Sequence, residues 1–437
     1  MEKIHSYHSA VINVIEIYDT TPSKADEILS EQIFISVNKR PYQAICQFIF
    51  LTVLRNKFLI EQTISTLAKK KPRKKLLYIL KASIAEIIIS DEKNHPKVIH
   101  SWVDFTKKVL SLNESKFVNA ILRKSYEALS NIRNSDNLSI AYSMPLWIVE
   151  RWKKHFGLEK TRELLQLCNK PSEVFFRKSY SKEAENFFKN YSNFFKKSDF
   201  ENFYILKSGN WNNVSDLLKS RFFYIQDPST SFAAKQLEPK CSGCYLDLCA
   251  SPGGKSRIIA DLIEKDFIEN SKSKEDLSKS LLVSVDLPKR IKKLRENLES
   301  TNFIKSVVVE CDLLNENLEE ILKNNKLPTQ YDGIFIDAPC SNTGVLRRRP
   351  DARYRISEKD IFECKKIQIQ ILEKHKGLVK SGGKIIFSTC SIDIEENEKN
   401  AEEFISKNNN FKIIKSGTCL PTNQSDGCGF AVFLKEK

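Results

Sequence analysis

The chain has 437 residues, of which 41% are hydrophobic and 29% charged. That excludes a disordered polymer, and it exceeds what one ordinary core holds, so two or three domains are expected. Seventy Lys and Arg against 55 Asp and Glu leave a net charge of +15, which points to a polyanionic partner unless it only reflects a lysine-rich composition.

Residues 1 to 138 lack glycine, and apolar residues recur at helical spacing through Ile45, Phe48, Ile49, Val53 and Leu54, then through Leu77, Ile79, Leu80, Ile84 and Ile87. A bundle of helices is expected here. The opening Met1-Glu2-Lys3-Ile4-His5 carries no secretory apolar core. The most apolar run, residues 48 to 54, stops at Arg55 and is far too short for a bilayer. No membrane association and a cytoplasmic location are therefore expected. Lys69-Lys70-Lys71-Pro72-Arg73-Lys74-Lys75 falls between two of these helices, and reads equally as a phosphate-binding patch or a solvated linker.

Arg133-Asn134-Ser135-Asp136-Asn137 is polar and turn-rich, and marks a boundary. Beyond it a helix opens at Pro145, and residues 174–177 and 203–206 read as short strands. Residues 139–235 form a small α+β connector on this reading.

From residue 236 to 437 the pattern becomes strand, turn, helix, repeated. Strands are expected at 245–249, 281–285, 306–309, 333–337 and 384–389. That alternation predicts a doubly wound, mainly parallel sheet, which binds ligands beyond its carboxyl ends. The charged stretch from 264 to 280 reads as a surface insertion. Eleven cysteines in a chain without a signal peptide are expected to be reduced. The Cys241-Ser242-Gly243-Cys244 pair lacks the further ligands of a zinc site and reads as a turn into the next strand, so no metal is expected.

Three segments at predicted strand ends carry chemistry. In Asp247-Leu248-Cys249-Ala250-Ser251-Pro252-Gly253-Gly254-Lys255 the glycine pair lets the backbone turn tightly toward a ligand, and a following helix offers its N–H groups to a carboxylate. Neither a dinucleotide fingerprint nor a Walker loop is present. Asp286 ends the next strand and suits ribose hydroxyls, and Asp312 past the third could bond an adenine amine. This set fits S-adenosylmethionine better than a nicotinamide dinucleotide. Asp337-Ala338-Pro339-Cys340-Ser341 and Ser388-Thr389-Cys390-Ser391 then place two thiols beside it. Methylating a pyrimidine carbon needs a nucleophile and then a base, which two sulfurs can supply.

These segments, with residues 342–348 and Glu395-Glu396-Asn397, resemble the RNA 5-methylcytosine methyltransferases. Lys116-Phe117-Val118-Asn119-Ala120-Ile121-Leu122-Arg123-Lys124 and Val53-Leu54-Arg55-Asn56 resemble the NusB-like RNA-binding domain. The combination is similar to the bacterial small-subunit (16S) ribosomal RNA methyltransferase B family. The resemblance implies an all-α NusB-like bundle, an α+β connector and a Rossmann-like S-adenosylmethionine-dependent methyltransferase. It implies methylation of cytosine carbon five in 16S ribosomal RNA. Cys390 would be the nucleophile, Cys340 would assist release, Asp337 would bond the cytosine edge, and Lys255 would favour a thiolate. Residues Cys249, Ala250, Ser251, Pro252, Gly253, Gly254 and Lys255, with Asp286, Asp312 and Asp337, would line the donor site.

The target base would have to be looped out, single-stranded or flipped. Arg347, Arg348 and Arg349, beside a catalytic strand end, read as phosphate contacts. Asn342 stands where glycine is common in the family, and Asp426-Gly427-Cys428-Gly429-Phe430 departs from the usual Asp-Gly-Phe-Phe, which bears on local packing. Two other functions are open: a NusB-like assembly or antitermination factor with an inactive methyltransferase half, and a DNA cytosine methyltransferase attacking with Cys340. No coiled-coil seam appears, so a monomer is expected.

Overall fold

The computed structural model describes residues 6–21, 23–36, 40–301 and 303–436; the opening Met1–His5 segment lies outside them. The chain divides into two compact units, Met1–Pro171 with Leu346–Arg355, and Ser172–Val345 with Ile356–Lys437.

The first unit is helical. Its central helix, Lys74–Ile89, is buried at ten positions because Leu, Ile and Ala occupy nearly its whole circumference. Around it pack Tyr7–Thr20, Arg40–Arg55, Lys57–Leu67, His95–Val109 and Leu112–Arg133. Ile49, Val53, Ile79, Leu80 and Ile84 join one core, as their spacing predicts, whereas Phe48 is exposed. The basic run 69–75 covers most of the link between two of these helices and the first two residues of Lys74–Ile89, and its lysines are exposed. Among the described residues no single helix is long and apolar enough to cross a bilayer; the pair Tyr42–Arg55 and Lys57–Leu67, bent by 78°, passes that test only when taken together.

The unit boundary differs from that read in the sequence. The helices Leu146–Phe156 and Leu158–Asn169 fall with the helical unit, not with a connector. So does Leu346–Arg355, which follows the Cys340 loop in sequence. Arg353, fully buried, donates from Nη1 to Asn169 Oδ1 at 2.8 Å and from Nη2 to the Cys168 carbonyl at 2.9 Å. Tyr354 donates to the Leu54 carbonyl at 2.8 Å, and Arg55 donates to the Arg347 carbonyl at 3.0 Å. This anchoring alters one expectation. Arg347 is 4% exposed, and of the three arginines read as phosphate contacts Arg349 is the exposed one. Replacing Arg353 with alanine strips buried acceptors of a charged donor. At about 1–3 kcal/mol for each group left unpaired, the helical unit is expected to lose roughly 3 kcal/mol. An unchanged melting temperature would show that the segment is held by other means.

The second unit contains two sheets. The first has order β2-β3-β1-β4, built from β1 (Phe175–Lys178), β2 (Phe195–Lys197), β3 (Phe203–Leu206) and β4 (Phe223–Ile225), all antiparallel. Phe176, Phe188, Phe195 and Phe223 fill its core. The larger sheet has order β10-β11-β9-β8-β5-β6-β7. Its strands are β5 (Cys244–Leu248), β6 (Leu281–Asp286), β7 (Lys305–Glu310), β8 (Tyr331–Asp337), β9 (Val379–Thr389), β10 (Phe411–Cys419) and β11 (Cys428–Lys435). Strands β5 to β9 pair in parallel, and β10 and β11 add an antiparallel edge. Strand order reverses between β5 and β8, which opens the crevice used by doubly wound folds at those two carboxyl ends.

Two local readings change. The stretch from 264 to 280 is no plain insertion: it begins inside the helix Gly254–Glu269, with Glu264 and Asp266 each 8% exposed. Asp266 accepts from the Cys241 backbone N–H at 2.9 Å, so it fastens the turn before β5. The C-terminal strands β10 and β11 were also absent from the predicted elements. That segment mixes lysines, glycine and cysteine without clean alternation, so its strand character comes from pairing with β9.

Candidate active site

The turn Cys249–Lys255 starts where β5 ends. Cys249 has φ 60° and Gly253 φ 103°, so the chain reverses through the left-handed region twice before the helix Gly254–Glu269 begins. Gly253 is where a side chain would be strained, which is why the turn needs glycine. Asp286, 3% exposed, pins this turn to β6: Oδ2 accepts from Ser251 N–H at 2.8 Å and Oδ1 from Leu287 N–H at 2.7 Å. Asp312 is half-buried and accepts from Asn315 Nδ2 at 2.9 Å and from Leu314 N–H at 3.0 Å. The Asn315 side chain and these amides hold its carboxyl below the ordinary carboxylate range.

A residue outside every predicted site also holds the turn. Gln226, just past β4, donates to the Gly254 carbonyl at 3.0 Å and accepts from Arg177 Nε at 2.8 Å. Arg177 in turn pairs with Asp261 on the helix Gly254–Glu269. The small sheet thus supports this turn through a polar chain that no local pattern announces.

Parallel pairing of β8 with β9 aligns Asp337 with Ser388, and Ala338 N–H donates to the Ser388 carbonyl at 2.9 Å. The loops leaving these neighbouring ends bring Cys340 Sγ to 2.9 Å from Cys390 Sγ. The Cys390 thiol also lies 3.2 Å from Asn342 Oδ1, while Asn342 Nδ2 donates to the Cys340 carbonyl at 2.8 Å. Asn342 has φ 64°, a conformation that asparagine tolerates almost as glycine does. The hydrogen bond between Cys340 and Cys390, then burial, push the Cys340 thiol well up, so Cys340 keeps its proton. Lys255 Nζ forms an ion pair with Asp337 Oδ1. Burial works against the Lys255 charge, but the Asp337 carboxylate outweighs it and raises its pKa.

Buried polar groups fix the two thiol loops to each other. Glu396 accepts from Ser341 N–H at 2.9 Å and from Gln368 Nε2 at 2.9 Å, and Gln368 also donates to the Pro339 carbonyl at 2.8 Å. Thr343 donates to Asp393 Oδ2 at 2.7 Å, and Gly344 N–H donates to the Cys390 carbonyl at 3.0 Å. A Cβ on Gly344 would lie 2.5 Å from the Gly427 carbonyl oxygen and 2.8 Å from that of Cys390, so only glycine fits there. Glu396 belongs to a motif legible in the sequence; the roles of Gln226, Gln368 and Thr343 had no local signal.

The site therefore joins Cys249–Lys255, Asp286, Asp337, Cys340 and Cys390 at neighbouring strand ends of one sheet, with Asp312 past the end of β7. Residues 234–432 match the 16S rRNA methyltransferase RsmB/F family, and residues 9–127 the NusB family. The chain is 27% identical over 380 residues to the probable ribosomal RNA small subunit methyltransferase B of Bacillus subtilis, spanning 82% of this chain and 79% of that protein. It is 32% identical over 213 residues to ribosomal RNA small subunit methyltransferase B of Proteus mirabilis, spanning 48% of this chain and just under half, 46%, of that one. Among solved structures, that of PH0851 covers 98% of this chain and of itself with a TM-score of 0.73 at 21% identity, a likeness of fold. A match to the NusB family followed along the chain by a match to the 16S rRNA methyltransferase RsmB/F family, with relatives of one name across most of its length, gives this chain the likeness of a NusB region joined to an S-adenosylmethionine-dependent methyltransferase region.

Proposed function

We propose that the protein transfers a methyl group from S-adenosylmethionine to carbon five of a cytosine in small-subunit ribosomal RNA, through a covalent adduct on Cys390. The carrying observation is the 2.9 Å approach of two thiols at neighbouring strand ends, beside the Lys255–Asp337 pair.

The donor side suits the cofactor. Gly253 keeps the turn free of a side chain, and the helix start behind it offers unpaired N–H groups to a carboxylate. Asp286 commits one bond per oxygen to backbone amides, which leaves acceptor capacity for ribose hydroxyls. Asp312 spends more of its capacity on its own turn and is the weaker candidate for adenine. The bound cofactor supplies an electrophilic methyl group.

Cys390 sulfur adds to carbon six of the ring, and the electron pair of the carbon five–six double bond shifts so that carbon five becomes the nucleophile. Lys255 supplies a positive charge to the site, and Asp337 bonds the cytosine edge at ring nitrogen three. Methyl transfer releases S-adenosylhomocysteine; the carbon-five proton then passes to solvent water, its bonding pair reforms the carbon five–six double bond, and the carbon–sulfur bond breaks to return Cys390 as thiolate. Cys340, which keeps its proton at rest, stands within reach of the departing sulfur and assists this release. The exposed 69–75 run and Arg349 are the phosphate contacts favoured by charge and exposure.

The test is methyl transfer from labelled S-adenosylmethionine to unmodified small-subunit ribosomal RNA, followed by digestion to nucleosides. Label in 5-methylcytidine is expected. Label in another nucleoside, or none in any small-subunit RNA, overturns the reading.

A further inference from the structure

The departure at Cys428-Gly429 has a structural counterpart. Strand β11 lies between β9 and β10, and pairing places Gly429 opposite Thr389 on one side and Thr418 on the other. Side chains of paired residues point to the same face of a sheet, so Thr389, position 429 and Thr418 form one row across three strands. The middle place in that row is empty of side chain. Asn397, 3% exposed and N-terminal to the helix Glu398–Lys407, fills it from above. A Cβ on Gly429 would overlap the Asn397 carboxamide outright.

The carboxamide seated in that gap holds both neighbours of Cys390. Thr389 Oγ1 donates to Asn397 Oδ1 at 2.6 Å, and Asn397 Nδ2 donates to the Ser391 carbonyl at 3.0 Å. Nδ2 also donates to Thr418 Oγ1 at 3.1 Å, and Thr418 passes its own proton to Glu398 Oε1 at 2.8 Å. Ser391 N–H closes the turn by donating to Thr389 Oγ1 at 3.2 Å. Both Nδ2 hydrogens are committed and Oδ1 accepts from Thr389, so the carboxamide is held in a single orientation.

We propose that Asn397 is the positioning residue for the Cys390 loop, and that Gly429 is the residue that admits it. This rests on Cys390 being the nucleophile. Asn397 acts through the backbone on either side of Cys390 and does not touch the substrate. Fixing a nucleophile lowers the barrier to attack without adding affinity, so the effect belongs to kcat.

The test combines Asn397→Ala, Asn397→Asp, Gly429→Ala and the double variant Asn397→Ala/Gly429→Ala, with Cys390→Ala as control. Methyl transfer is measured as kcat and KM, and the alkylation rate of Cys390 by iodoacetamide is followed by peptide mass. Each single variant at 397 or 429 is expected to lower kcat at least tenfold, with KM values for RNA and donor within about twofold, and to change Cys390 alkylation at least threefold. Alanine at 397 vacates the gap, so the double variant is expected to be no worse than Asn397→Ala alone. Asn397→Asp keeps the volume and the Thr389 bond but turns a donor into an acceptor facing the Ser391 carbonyl. It carries the test if Asn397→Ala does not fold. Wild-type kcat and alkylation in the Asn397 variants, with Cys390→Ala inactive, overturn the positioning role and leave the nucleophile intact. Losses that multiply in the double variant also overturn it. Transfer retained by Cys390→Ala overturns both.

Discussion

Alanine at Cys390 is expected to lower methyl transfer by roughly a thousandfold or more and to abolish any protein–RNA adduct, because removing a covalent nucleophile leaves only binding and positioning. Alanine at Cys340 is expected to behave in the opposite way toward the adduct. Attack and methylation still proceed, release slows, and a protein–RNA species accumulates on denaturing gels. The asymmetry follows from the pair. The sulfurs lie 2.9 Å apart, yet the thiol of Cys340 is pushed up by its bond to Cys390 and by burial, so at rest Cys340 is the proton holder. An adduct that survives in Cys390→Ala and disappears in Cys340→Ala would make Cys340 the attacking sulfur, as in the DNA cytosine methyltransferase alternative.

The second large effect concerns stability. Asp247 lies in the middle of the sheet, in β5, with no exposed surface. The Ser256 hydroxyl donates to Oδ2, while Oδ1 has no partner among the described residues. Burial pushes its carboxyl up to about 8, against the lesser opposing effect of the Ser256 bond. The folded state therefore favours the protonated acid. Its contribution is complete below the unfolded carboxylate range, near pH 4, and is lost as pH rises toward about 8. Above that the fold carries a buried negative charge. At about 1.36 kcal/mol for each tenfold change in proton affinity, the full span amounts to several kcal/mol, on the order of 5. Asp247→Asn removes the titration and retains the shape. It is expected to melt at a higher temperature than wild type at pH 8, with the gap narrowing as pH falls toward 5. A gap that does not change with pH would show that Asp247 is ionised in the fold.

Much of this was legible locally. The helical N-terminal region shows in apolar spacing, and the parallel sheet in its strand–turn–helix repeat. The glycine turn after β5, Asp286, Asp337 and both thiols fall at or just past strand ends, where a doubly wound sheet opens its crevice. Asn342, out of pattern as a letter, is in pattern as a conformation, since its φ of 64° suits asparagine as well as glycine.

Other features depend on which distant segments meet. Leu346–Arg355 reads as a loop of the methyltransferase half, yet Arg353 and Tyr354 bond to Asn169, Cys168 and Leu54, so it belongs to the helical unit and Arg347 is buried. Strands β10 and β11 lack alternation and exist by pairing with β9. Gln226 holds Gly254 from 28 residues away, and Asn397 enters a gap in a strand that starts 31 residues later. The sequence by itself determined the periodic elements and the residue types at their ends, because helix and strand patterns and turn chemistry are local. Only the tertiary structure decided which polar side chains hold the site in place, because a buried hydrogen bond needs a partner brought close by packing, and no short window of sequence contains both.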